Sequence, residues 1–97
     1  MFERQVTIHN ERGIHCRPAT VIAEALRDYT GRAQVRSLAS QAECEASSVL
    51  GLMSLGLEAG AEVVARVSGP NEDVVGEKLV HLLETEFDFP VGPAQRA

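Results

Sequence analysis

Residues 2–9 alternate in character, with Phe2, Val6 and Ile8 on one side and Gln5, Thr7 and His9 on the other. That period of two predicts a half-buried strand. Asn10–Gly13 reads as a loop, and beyond it Ala19, Ile22, Ala23, Leu26 and Tyr29 recur at helical spacing until Gly31 offers a stop. Pro18 suits the first turn of this helix, where a missing N–H costs nothing and its φ is already helical. Ala33–Leu38 predicts a short strand, and Gln41–Ala46 a second one, with Ala42, Cys44 and Ala46 inward and Gln41, Glu43 and Glu45 outward. The link through Ala39 and Ser40 has hairpin length but lacks an Asn-Gly signal. Ser47–Leu55 predicts a short helix despite Gly51. Its apolar residues Val49, Leu50, Leu52, Met53 and Leu55 exceed one stripe, which predicts an exposed docking patch. Glu62–Ser68 alternates again, with Val63, Ala65 and Val67 on one face. After a Gly69-Pro70-Asn71 turn, Asn71 is the expected N-cap of a helix over Glu72–Glu86 that buries Val75, Leu79, Leu82, Leu83 and Phe87. Pro90, Gly92 and Pro93 interrupt whatever follows, so residues 88–97 are expected to form a flexible tail.

Strand, helix, two strands, short helix, strand, long helix is the order of an α+β domain, most simply one antiparallel sheet with helices on one face. Ninety-seven residues suffice for a single domain. With four aromatic residues and no Trp, the core must come from Val, Leu, Ile and Ala, and a base-stacking platform is not expected. The formal net charge of -5 likewise argues against nucleic-acid binding. The charge is uneven: residues 1–36 hold six Arg against four acids, and residues 37–97 hold three basic against ten acidic residues. Early arginines suit an anionic group, because guanidinium grips phosphate or carboxylate bidentately, although codon preference explains Arg over Lys equally well. Cys16 and Cys44 lack metal or redox spacing, and no apolar run reaches membrane-spanning length. A cytoplasmic monomer with reduced thiols, no metal and no membrane insertion is expected.

His15 stands out chemically. It follows a Gly-containing loop, precedes a helix, and lies two residues from Arg17. Free amides at such a helix start, here Cys16 and Arg17, make an anion site reinforced by the helix dipole. The same positive potential disfavours imidazolium and keeps the ring nucleophilic near pH 7. A neutral His beside a guanidinium can accept a phosphoryl group whose oxygens the amides and Arg17 share. Local physics alone leaves the role of His15 open, since a single His is more often structural. Ser48, likewise, reads from the residues as an ordinary helix N-cap.

Two blocks carry a resemblance. Gly13-Ile14-His15-Cys16-Arg17-Pro18-Ala19 resembles the active-site motif of the HPr family, the histidine-containing phosphocarriers of the bacterial phosphoenolpyruvate-dependent phosphotransferase system (PTS). Ser47-Ser48-Val49-Leu50-Gly51-Leu52-Met53-Ser54-Leu55-Gly56 resembles that family's regulatory-serine helix. The resemblance covers residues 1–87 as one HPr domain and implies an open-faced β-sandwich: a four-stranded antiparallel sheet with three helices on one face. It implies that His15 takes phosphate on Nδ1 from phospho-enzyme I and passes it to an enzyme IIA, with Arg17 and the Cys16 and Arg17 amides stabilising it. It further implies Ser48 as the site of an HPr kinase/phosphorylase, and Val49, Leu50, Leu52 and Met53 as the docking surface. The protein is then a carrier without independent turnover or cofactor.

Several features depart from the family. Cys16 fills a slot usually held by a small residue, Ser47 makes the modified hydroxyl ambiguous by one position, and Glu24, Ser47 and Gly51 stand where many relatives carry Lys. The alternative within the family is a nitrogen-type regulatory phosphocarrier not coupled to sugar uptake. A purely regulatory module is disfavoured by the presence of His15, and a metal or thiol-redox module by the absence of ligand spacing.

Overall fold

A computed structural model describes residues 1–10, Ile14 and residues 16–85. The expectations for His15, Gly13, Glu86, Phe87 and residues 88–97 lie outside the described residues. The elements run β1 (Phe2–Thr7), α1 (Cys16–Leu26), β2 (Arg32–Ser37), β3 (Glu43–Glu45), α2 (Val49–Ser54), β4 (Glu62–Ser68) and α3 (Glu72–Glu84). The strands form one antiparallel sheet in the order β1-β4-β2-β3. Phe2 to Thr7 pair with Val67 to Glu62, and Arg32 to Ser37 pair with Ser68 to Val63 on the other side of β4.

Alternation does the sorting. Phe2 and Val6 of β1, Ala33 and Val35 of β2, and Val63, Ala65 and Val67 of β4 all turn to one face. There they meet Ala19, Ile22 and Leu26 of α1, Leu52 of α2, and Leu79, Val80 and Leu83 of α3 in a single core. All three helices therefore cover one side of the sheet, and the other side faces solvent. Val64 is buried although it points to the open side. Its cross-strand neighbours, Gln5 and Arg36, have stems long enough to lie over it.

Three local expectations need correction. Ala42 is exposed rather than inward, because Gln41 takes a left-handed turn (φ 66°) and the β2–β3 ladder begins only at Glu43. Ser37 closes this turn instead: its N–H donates to the Ala42 carbonyl (2.8 Å), and its own carbonyl accepts from the Gln41 N–H (2.8 Å). Asn71 is not a side-chain cap; it sits at φ 52° with no capping hydrogen bond. Glu72 takes over, accepting from the Gly69 N–H (3.1 Å) and pairing with the Met1 ammonium (2.7 Å). These contacts, the ammonium first, hold its carboxyl below the ordinary carboxylate value. The buried stripe of α3 is also rotated: Gly76, Leu79, Val80 and Leu83 are buried, while Val75 and Leu82 are only partly so.

Gly76 explains the rotation. Its α-carbon lies against the ring of Phe2, so that a β-carbon there would collide with the ring atoms nearest the backbone. The guanidinium of Arg4 covers the same ring, 5.0 Å from its centroid, and reaches Glu77 at 2.8 Å. Helix propensity favours Ala over Gly by about 1 kcal/mol, whereas overpacking costs about 1–3 kcal/mol. Gly76→Ala is therefore expected to lower the urea midpoint, and its loss should be less than additive with that of Phe2→Leu. A raised midpoint would show that the ring gives way freely.

Candidate functional site

The start of α1 is fixed from outside the helix. Ile8 donates to the Ala61 carbonyl (2.8 Å) and accepts from the Gly60 N–H (2.8 Å), which holds the chain leaving β1 against the one entering β4. Ile14, buried, donates to the Leu57 carbonyl at 3.0 Å. That bond ties the residue before His15 to the segment just after α2, so the two sequence blocks meet in space. The side chain of Asn10, placed in a loop by sequence, is wholly buried here.

Cys16 and Arg17 open α1 and both are exposed. Pro18 and Ala19, directly after them, are buried. The first turn thus has its anchor beneath and Cys16 and Arg17 exposed, and the first amides of a helix have no partner inside it, the condition an anion site requires. Arg17 makes no hydrogen bond or ion pair to the described residues. Thr20 Oγ1 donates to the Cys16 carbonyl (2.8 Å), which steadies the turn without using its amides. Among the described residues, no three His, Cys, Asp or Glu side chains gather to hold a metal, and no helix is long and apolar enough to cross a membrane.

α2 packs beside α1. Ser48 precedes α2 in extended conformation (φ -105°, ψ 112°), and its Oγ accepts from the Gly51 N–H at 2.9 Å. Ser47 is exposed, while Ser48 is half-buried. The docking patch is smaller than expected. Leu50 and Met53 are exposed, at 77% and 42%, and Val49 is half-buried, but Leu52 is fully buried and belongs to the core. A six-residue helix still has one inward position per turn, and Leu52 is the residue that fills it. Opposite Gly51 lies β3: a β-carbon at Gly51 would come within 2.8 Å of the Cys44 β-carbon. Burial, with Glu45 and Glu43 adding to it, pushes the Cys44 thiol up to about 11, so this sulfur stays protonated. Sequence reading missed Leu57 and the close approach at Gly51. The only signal for either was a Gly inside an apolar helix and a Leu among loop residues.

The sequence matches the PTS-HPr family, described as the PTS HPr component phosphorylation site, over residues 2–85. The chain belongs to this family. It is 34% identical over 91 residues to a multiphosphoryl transfer protein of Xanthomonas campestris pv. campestris, a match covering 94% of this chain but only 11% of that much longer protein. It is 31% identical over 87 residues to the phosphocarrier protein NPr of Shewanella violacea, covering 90% of this chain and 93% of that one. Among solved structures, HPr-C-His from Thermoanaerobacter tengcongensis aligns with a TM-score of 0.77 at 29% identity, over 86% of this chain and 91% of that one. The four-stranded open sheet with three helices is thus the HPr fold, and the protein is an HPr-family phosphocarrier of the PTS that works with PTS enzymes.

The Ser48 cap makes a stability prediction that separates the two adjacent serines. Ser48→Ala removes the acceptor for Gly51 and is expected to cost about 1 kcal/mol, while Ser47→Ala should fall within about 0.5 kcal/mol of wild type. Urea denaturation of both variants measures this; equal effects would remove the cap from the account of α2.

Proposed function

We propose that His15 accepts a phosphoryl group from phospho-enzyme I and hands it to enzyme IIA components, in the cytoplasm and without a cofactor. The observation that carries this reading is the start of α1. Directly after His15 come the first-turn amides of α1 and an exposed Arg17 that pairs with none of the described residues, on a buried Pro18-Ala19 footing, in a family whose matching description is a phosphorylation site. The imidazole nitrogen forms an N–P bond as the bond to the donor breaks, in line, with charge spread over the three equatorial oxygens. Such a transfer needs positioning and charge sharing more than a general base. The first-turn amides of Cys16 and Arg17 and the Arg17 guanidinium supply that sharing. The same charges ease departure toward an acceptor, so the protein carries the group and does not turn over substrate alone. Leu50 and Met53, with Val49 at their edge, form the apolar ground on which a partner rests.

Ser48 is proposed as the regulatory phosphorylation site for an HPr kinase/phosphorylase. Its oxygen already faces the α2 amides, so added negative charge is tolerated by the helix and felt by the partner.

One observation favours the nitrogen-type branch as a second reading. Arg27, directly after the end of α1, is engaged by Glu24 at 3.5 Å, which leaves this face weakly basic. Enzyme I preference separates the branches: phosphate should pass from the sugar-type enzyme I if the first reading holds, and from the nitrogen-type enzyme if the second does.

Incubation with phosphoenolpyruvate and enzyme I is expected to give an acid-labile, alkali-stable phosphate on His15. No label with several active enzymes I would overturn the assignment. Arg17→Ala should keep the fold and slow transfer through His15 in both directions; unchanged kinetics would remove Arg17 from the site. Ser48→Asp should weaken enzyme I binding at low salt with little loss of stability, and unchanged affinity would remove Ser48 from regulation.

A further inference from the structure

The solvent face of the sheet, away from the helices, has its own charge order. Register places Arg66 of β4 between Glu3 of β1 and Gln34 of β2, and sets Arg32 opposite Ser68. Arg32 and Arg66 are thus diagonal neighbours on one face, close enough for two long side chains to reach a common ligand. Between them opens a cavity of about 250 Å³, bounded also by Met1, Gln34 and Ser68.

The two arginines are in different states. Arg32 is oriented: its Nη2 donates to Glu45 (3.3 Å) and, with the Gln34 amide turned so that its oxygen faces Arg32, to that oxygen (2.9 Å), while the amide nitrogen then reaches Glu43 (3.1 Å). Its ion pair is solvent-exposed and so weak enough to exchange. Arg66 pairs with no carboxylate among the described residues, although Glu3 stands across from it, and its Nε is shut off from solvent without a hydrogen-bond partner. Its terminal Nη groups meet no acceptor among the described residues, and such a guanidinium, lining a cavity with a second guanidinium and a hydroxyl, has the composition of an anion clamp.

We propose that this cavity binds a small organic phosphate monoester, held by Arg66 and Arg32 with Ser68 as a lateral partner. Donors placed on different strands suit the tetrahedral arrangement of phosphate oxygens better than a planar carboxylate, which one fork satisfies. The cavity of about 250 Å³ has room for a phosphate group and a few carbons. This site does not draw on the carrier reading. It lies on the opposite face of the sheet from the helices and at the end where β1 begins, whereas α1 is anchored beside the end where β1 stops.

The test is an amide-resolved NMR titration of the full chain with glycerol phosphate, and with succinate for comparison. Saturable shifts are expected at the Gln34, Arg66 and Ser68 amides. Arg66→Gln should weaken them by roughly tenfold or more, the loss of a charge-assisted pair. Arg66→Lys, which keeps the charge and loses the fork, should fall between, and it decides the matter if Arg66→Gln does not fold. Four results would each overturn the proposal: no shift at tens of millimolar, shifts centred on Cys16 and Arg17, sheet shifts unaffected by both variants, or a stronger response to succinate.

Discussion

β4 lies between β1 and β2, and the placement of every helix depends on that insertion. A strand paired on both edges must satisfy two ladders and bury one face, which is why Val63, Val64, Ala65 and Val67 crowd into seven residues. Its partners are far away in sequence, and β1 pairs with it across about sixty intervening positions. Contacts of that span are slow to close. They also fix the geometry that matters, because the chain leaves β1 beside Ala61 and reaches α1 only after Ile14 has bonded to Leu57.

The helix layer divides labour between anchoring and presentation. Pro18, Ala19 and Leu52 hold α1 and α2 to the core, while Arg17, Leu50 and Met53 stay at the surface. Neither helix is long enough to be stable alone, so tertiary contacts and the Ser48 cap keep their exposed residues in place. Rigidity beneath these exposed residues keeps their arrangement fixed.

Legibility in the sequence followed the physics of each segment. β4 was readable to the residue, since alternation reports on local structure directly, and α3 starts at Glu72 as expected although Asn71, which pointed to it, is not its side-chain cap. The turn at Gln41 was not, because a left-handed Gln has no propensity signature of the Asn-Gly kind. The rotation of α3 was hidden too: a Gly such as Gly76 shows as a weak helix former, and only the Phe2 ring, seventy-four positions earlier, gives it meaning. In α2 the count of apolar residues was right, but Leu52 belongs to the core, since periodicity over six residues is too short to fix a face. The resemblance located the two motif blocks well. That they meet through Ile14 and Leu57 is a matter of topology rather than pattern.

The sheet ends on one side in β3, three residues long, entered through the left-handed Gln41 and left through the turn that leads to Ser48. Glu43 and Glu45 carry the same charge on either side of Cys44. A second copy adding to this edge would find little ladder to extend and would bring glutamates against glutamates. The strand that completes the sheet is thus poorly suited to recruit another, which guards this open backbone edge against unintended strand addition.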